Sequence, residues 1–106
     1  MAIVDVDREA LKRGLADGTV LVIDVREPNE FESGHIPGSV SFPLSTFDLG
    51  ALRDLVAADG RQPVLSCAAG VRSARALDYV QAQGLDLDAH YAGGFKDWAA
   101  AGEPVD

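Results

Sequence analysis

Short apolar runs alternate with amphipathic segments along this chain, and this alternation constrains its fold more than any other feature. Val20–Val25 and Pro63–Ser66 are short and apolar, as expected for strands that are buried on both faces. A helix capped by Asp7 and ending near Gly18 precedes the first run. The pattern predicts an α/β fold with a small, mainly parallel central sheet flanked by helices on both faces.

The remaining segments complete the alternation. Their predicted elements are a helical turn over Glu27–Glu32, a strand over Ser39–Phe42, a helix from Leu49 to Asp59, a helix from Ser73 to about Gly84, a strand over Ala89–Tyr91 and a last helix carrying Phe95 and Trp98. No repeat or linker interrupts them, so we expect residues 1–106 to form a single domain.

The composition excludes several classes of partner. With 9 basic and 17 acidic residues the net charge is −8, which disfavours nucleic acid and anionic membrane surfaces. The longest apolar runs are four residues long, whereas a membrane span needs roughly 20.

No secretory signal precedes the first predicted helix, so a cytoplasmic protein is expected. No apolar stripe is left over for an interface, which favours a monomer.

The charge is unevenly distributed, and the exception surrounds the single cysteine. Between Gly60 and Leu77 there is no acidic residue, whereas Arg61, Arg72 and Arg75 are present. This locally positive window would attract a small anion. Cys67 lies inside it, directly after a predicted strand, where parallel sheets bind their ligands.

A thiol at a strand–loop–helix junction is well placed for nucleophilic chemistry. The free N–H groups and the positive potential of the helix start would stabilise a thiolate and lower the pKa of Cys67. Gly70 permits a loop curled around an anion, and Ala68 and Ala69 leave the backbone accessible. Ser73 is expected to cap the helix or to donate its hydroxyl into the loop. The alternative is that Cys67 is a small buried core residue.

Four ordered motifs resemble those of single-domain rhodaneses, the thiosulfate sulfurtransferases. The segment from Cys67 to Ser73 resembles the family's active-site loop C-x-x-G-x-R-S. The other motifs are Ile23-Asp24-Val25-Arg26-Glu27 with Glu30-Phe31, Gly34-His35-Ile36-Pro37-Gly38-Ser39, and Gly93-Gly94 with Trp98. Together they extend over nearly the whole chain.

The resemblance implies sulfur transfer from thiosulfate, or from a persulfide donor, to cyanide or a thiol through a persulfide on Cys67. It implies substrate binding by Arg72 and by the backbone of Ala68, Ala69, Gly70, Val71 and Ser73, with neither cofactor nor metal. A partner-fed sulfur-relay or binding module is the alternative. A phosphatase or arsenate reductase is disfavoured because their loops, C-x5-R, are one residue longer than the spacing here.

Other polar residues in these motifs are expected to serve the scaffold. Asp24, Arg26 and Glu30 are interpreted as hydrogen-bonding and ion-pairing groups that fix loops beside the sheet. His35 and His90 are isolated in the sequence and lack the spaced carboxylates of a metal site. Trp98 is expected to pack in the core, and the sequence leaves open whether Arg75 borders the site.

Overall fold

Strands and helices alternate along the computed structural model, which describes residues 3–106. The strands are β1 (Val4–Val6), β2 (Val20–Asp24), β3 (Val40–Ser41), β4 (Gln62–Ser66) and β5 (Ala89–Tyr91). The α-helices are α1 (Arg8–Asp17), α2 (Pro28–Ser33), α3 (Leu49–Asp59), α4 (Val71–Ala82) and α5 (Gly94–Ala100). A 3-10 turn over Leu44–Thr46 joins β3 to α3. No helix within these residues is long and apolar enough to cross a membrane.

All five strands form one sheet, in the order β1-β5-β4-β2-β3, and every neighbouring pair is parallel. This confirms the predicted α/β fold. Because parallel strands end at the same edge, the loops that follow β2, β4 and β5 come together there. The loop that begins at Cys67 follows the central strand, β4.

Helices cover both faces of the sheet, as predicted. On one face Ile23 and Leu65 pack with Leu52 of α3 and Leu77 of α4. On the other face a second core joins the strands to α1 and α5 through Leu11, Val22, Val64, Tyr91 and Trp98. Successive strand residues therefore face different cores, which explains why these strands are apolar without alternation.

Local signals located most helix ends correctly. The Asp7 carboxylate accepts the Ala10 N–H at 2.8 Å, and Gly18 takes a left-handed conformation after the last turn of α1. The prediction was incomplete at β1, which it did not contain, and it made β3 too long. β1 has three residues at the edge of the sheet, and pairing with the distant β5 supports it, so the local pattern carries little signal.

Candidate active site

The cysteine loop connects the centre of the sheet to the first turn of α4. β4 ends at Ser66, and α4 begins at Val71, two residues before the predicted start at Ser73. The predicted start is two residues late because Gly70, with a φ of 91°, occupies the N-cap position, so of the two roles predicted for Ser73 the helix cap is wrong. The Ser73 hydroxyl therefore lies inside the first turn, where it faces the cysteine.

Two backbone donors and one hydroxyl group surround the Cys67 sulfur. The N–H groups of Gly70 and Ser73 point at Sγ from 3.1 and 3.4 Å, and the Ser73 hydroxyl lies 3.6 Å from it. The cysteine is 1% exposed. Burial raises the pKa of the thiol, but the hydrogen bonds from Ser73 and from the amides of Ala69 and Gly70 outweigh it, so the pKa is lowered.

The turn at Gly93-Gly94 holds the cysteine loop in place. The N–H groups of Phe95 and Lys96 donate to the carbonyls of Cys67 and Ala68 at 2.8 and 3.0 Å. Gly94 has a φ of 69°, and a side chain there would overlap the same two carbonyls. This motif therefore supports the cysteine loop through its backbone.

The two sides of the loop differ in exposure. Gly70 is buried and packs so closely on the Ala92 carbonyl that a side chain would overlap it. Ala68 is half-buried, whereas Ala69 and Val71 are exposed. A substrate can therefore approach the loop over its exposed alanine and the start of α4.

Arg72 forms an ion pair with Glu30, a partner that sequence analysis did not predict. Its guanidinium donates to both carboxylate oxygens of Glu30 at 2.7 and 2.9 Å, and both side chains are about one-third exposed. Hydrogen bonding to Arg72, together with the Glu27 N–H, lowers the pKa of Glu30 to about 2 despite some burial. Glu30 also caps α2 through that N–H, so this pair ties α2 to α4.

Arg75 lies one turn further along α4 and is exposed. It borders a cavity of about 250 Å³ together with Leu44, Phe47 and Tyr79. The lowered pKa of Cys67 comes from hydrogen bonds around the sulfur, and Arg75 makes none of them.

Asp24 and Arg26 form a buried scaffold, as predicted. Their side chains are each 5% exposed, and Arg26 contacts both oxygens of Asp24 at 2.8–3.0 Å. The guanidinium also donates to the Gly34 carbonyl at 2.8 Å and lies 4.4 Å above the Phe95 ring. These contacts join the loop after β2 to the start of α5.

Trp98 and His35 also lie where they stabilise the fold. The indole of Trp98 is 3% exposed and packs edge-on against Tyr91, which confirms its predicted place in the core. His35 stacks on Phe31 with ring centres 3.8 Å apart, and its Nδ1 lies 2.9 Å from the Phe31 carbonyl.

His90, in contrast, is not isolated from the site. Its Nδ1 lies 2.8 Å from the Ser73 hydroxyl, and its Nε2 lies 2.9 Å from a carboxylate oxygen of Asp5. Sequence reasoning missed this contact because Asp5 belongs to β1, which it did not predict. An apolar–polar–apolar pattern in Val4-Asp5-Val6 was the available signal, and it is too short to be specific.

A comparison of the chain with models of known protein families identifies its family. The model of the Rhodanese-like domain family matches residues 7–101. The chain belongs to the rhodanese-like family. This confirms the resemblance found in the four sequence motifs.

Two named relatives of this rhodanese-like chain come from very different organisms. A sulfurtransferase from Allochromatium vinosum is 33% identical over 102 residues, which cover 95% of this chain and 92% of the relative. The mouse thiosulfate sulfurtransferase/rhodanese-like domain-containing protein 3 is 36% identical over 83% of this chain and 63% of its own length. An uncharacterized Synechocystis protein, slr1261, is 37% identical, and the match spans 46% of its length.

Solved structures share the fold over most of the chain. The human single-domain sulfurtransferase TSTD1 matches with a TM-score of 0.71 and 26% identity, covering 91% of this chain and 95% of TSTD1. A Rhodopseudomonas palustris protein named as a possible tyrosine phosphatase matches with a TM-score of 0.78 and 31% identity, covering 98% and 85%.

Proposed function

We propose that this rhodanese-like protein is a sulfurtransferase that carries sulfane sulfur as a persulfide on Cys67. The observation that carries the proposal is the set of hydrogen-bond donors around Sγ, which lowers the pKa of the Cys67 thiol. This thiol lies at the edge of the sheet where parallel sheets bind their ligands. The names of its relatives support the reaction class. Thiosulfate, or a persulfide, is the donor that fits best, because the first turn of α4 and Arg72 favour an anion.

The first half-reaction needs a nucleophile and an anion site. The Cys67 thiolate attacks the outer sulfur of thiosulfate, the sulfur–sulfur bond breaks, and sulfite leaves with its electron pair. The outer sulfur remains on Cys67 as a persulfide anion. The amides of Gly70 and Ser73 already point at Sγ, and we expect the loop amides to donate to this anion as well.

The second half-reaction returns the enzyme to its resting state. Cyanide, or a thiol, attacks the outer persulfide sulfur and removes it, and the Cys67 thiolate is the leaving group. A leaving group is better when its pKa is low, so the same hydrogen bonds assist both halves. Covalent catalysis of this kind predicts ping-pong kinetics.

Arg72 is proposed to bind the sulfonate oxygens of thiosulfate while it remains paired with Glu30. A guanidinium has five N–H donors, and the bidentate pair uses only one on each terminal nitrogen. The other donors are available to an oxyanion. Glu30 thus orients the Arg72 guanidinium. The backbone of the remaining loop residues, Ala68, Ala69 and Val71, lines the side of the loop where the substrate binds.

Two other functions compete with this proposal. A relay or binding module would accept sulfur only from a partner protein, and a phosphatase would bind a phosphate ester, as the name of one structural neighbour suggests for that neighbour. The spacing favours sulfur transfer over the phosphatase, because four residues separate Cys67 from Arg72 where the phosphatase-type loop has five.

Intact-mass spectrometry after incubation with thiosulfate tests the proposal. We expect the protein to gain the mass of one sulfur atom and to lose it on addition of cyanide, with release of thiocyanate. Cys67→Ser is the matched control, since Cys67 is the only cysteine, and it should gain nothing while its circular dichroism stays unchanged.

The alternatives give different results in the same assays. A protein that gains no sulfur from thiosulfate but accepts it from a persulfidated protein would be a partner-fed relay. Hydrolysis of p-nitrophenyl phosphate that depends on Cys67, without any gain of sulfur, would support a phosphatase and would contradict our proposal.

A further inference from the structure

A continuous chain of hydrogen bonds leads from the Cys67 thiol to the protein surface. Sγ lies 3.6 Å from Ser73 Oγ, Oγ lies 2.8 Å from His90 Nδ1, and His90 Nε2 lies 2.9 Å from Asp5 Oδ1. The first three residues are at most 5% exposed, whereas the Asp5 side chain is 72% exposed. The proposed mechanism uses Cys67 and Ser73 but assigns nothing to His90 or Asp5.

The sheet register creates this alignment. Asp5 of β1 and Leu65 of β4 are both in register with His90 of β5, so the three side chains share one face of the sheet. This is the face on which α4 packs. Ser73, in the first turn of α4, therefore lies between the histidine and the cysteine.

The hydrogen-bonding partners determine the direction of each bond in the resting state. An ionised Asp5 only accepts hydrogen bonds, so Nε2 of His90 carries the proton between them. In the neutral imidazole Nδ1 is then an acceptor, and the Ser73 hydroxyl donates to it in preference to the Gly70 carbonyl, which is further away at 3.2 Å. Ser73 Oγ is left to accept the thiol proton of Cys67.

We propose that His90 accepts the Cys67 proton through the Ser73 hydroxyl, with Asp5 holding the imidazole in the required tautomer. The S–H bond of Cys67 breaks as its proton passes to Ser73 Oγ, and the hydroxyl proton of Ser73 passes to His90 Nδ1. A neutral thiol and a neutral imidazole become a thiolate and an imidazolium, and nothing is oxidised or reduced. Nε2 keeps its proton and its bond to Asp5.

This transfer leaves all three hydrogen bonds intact and reverses the direction of the two that involve Ser73. After it, Nδ1–H donates to Ser73 Oγ, and the Ser73 hydroxyl donates to the thiolate of Cys67. If the proton went to solvent instead, the serine could donate to the thiolate or to the imidazole but not to both. Cys67 is 1% exposed, so a path through the protein also gives its proton a route that does not depend on direct contact between the sulfur and bulk solvent.

Charged groups lie near both ends of this chain. At the outer end Asp5 lines a cavity together with Asp7, Arg8, Glu9 and Asp97, and at the inner end Arg72, which is paired with Glu30, interacts with the charge on Cys67. The Asp5 carboxylate accepts the Nε2–H bond of His90 both before and after the transfer, and the N–H groups of Gly70 and Ser73 donate to the thiolate. Both charges of the product are therefore stabilised.

The pH dependence of Cys67 alkylation by iodoacetamide tests the inference, which rests on the proposed role of Cys67 as nucleophile. This measurement needs no sulfur donor, so its failure is distinguishable from failure of the sulfurtransferase proposal. In His90→Phe we expect alkylation at neutral pH to slow about tenfold and its midpoint to move to higher pH. His90→Asn should slow equally, because an amide can bond to the serine but cannot take up a proton.

Two further variants complete the set. Asp5→Asn should slow alkylation less than the His90 variants do, because it removes only the charge that supports the imidazolium. His35→Asn is the matched control at the other histidine and should react like the parent protein. An unchanged alkylation profile in both His90 variants, or full rescue by His90→Asn alone, would overturn the proposal in favour of a structural role.

Nitrogen-15 NMR of the two imidazole rings gives a second measurement on the unmodified protein, should the variants not fold. At a pH where Cys67 is a thiolate, we expect Nδ1 of His90 to be protonated. After alkylation of Cys67 the same nitrogen should lose its proton at that pH. If the Nδ1 resonance does not respond to alkylation, the proton of Cys67 does not go to His90.

Discussion

Arg26 and Arg72 each hold a carboxylate with two nitrogens, and the two ion pairs differ mainly in burial. The side chains of Arg26 and Asp24 are each 5% exposed, whereas those of Arg72 and Glu30 are 35% and 32% exposed. Removing one partner of a buried pair leaves the other charge uncompensated, at a cost of about 3–5 kcal/mol. The same removal from an exposed pair costs about 0–1 kcal/mol.

We therefore expect Arg26→Met to lower the free energy of unfolding by about 3–5 kcal/mol. Methionine keeps the apolar stem beside Phe95 but loses the bonds to Asp24 and to the Gly34 carbonyl. A small domain has about 5–15 kcal/mol of stability in total, so this single change would remove a large part of it.

Urea unfolding followed by far-UV circular dichroism measures this loss. Arg72→Met is the matched control, and its free energy of unfolding should lie within about 1 kcal/mol of that of the parent protein. Its use of thiosulfate should nevertheless fall by about 10- to 1000-fold, since a charge-assisted contact to the donor is lost. The reasoning fails if Arg26→Met loses less than about 1 kcal/mol, or if Arg72→Met is the less stable of the two.

Two smaller changes test the surroundings of the loop. Since pairing with Arg72 lowers the pKa of Glu30 from 4.5 to about 2, its contribution to stability is present above pH 4.5 and disappears as the pH falls towards 2. Urea unfolding of Glu30→Gln should thus show a deficit at neutral pH that vanishes at acid pH, and a deficit that persists there would contradict the pairing. Gly70→Ala should slow alkylation of the cysteine because a side chain overlaps the Ala92 carbonyl, whereas Gly60→Ala, with a φ of 80° and open space around it, should leave alkylation unchanged.

The parts of the fold that sequence reasoning predicted are those with local signals. β2 and β4 are continuous apolar runs, and burial on both faces makes such runs recognisable without any partner. α1 and α3 have an aspartate at one end and a left-handed glycine at the other, so their ends could be located from single residues. The cysteine loop was predicted for the same reason, because its residues are contiguous.

The parts that sequence reasoning missed depend on contacts between distant segments. Arg72 and Glu30 are 42 residues apart, and His90 and Asp5 are 85 residues apart. Only the register between β1 and β5 places His90 and Asp5 side by side, and the sequence of a three-residue edge strand does not indicate that register. Pairing partners of this kind follow from topology, so a list of local motifs could name the nucleophile but not the groups that support it.

The charge argument for the site also changes once the fold is known. In the sequence, the stretch around Cys67 is locally positive because its acidic neighbours lie elsewhere in the chain. In the fold, Glu30 comes to the loop from α2, and a free carboxylate there would oppose an anion on the cysteine. Its bidentate pair with Arg72 neutralises it, so the first effect of Arg72 is to cancel a charge rather than to add one. The anion on Cys67 is therefore stabilised mainly by amides and the serine hydroxyl, which lie within 4 Å of the sulfur and are screened much less by salt than distant charges are.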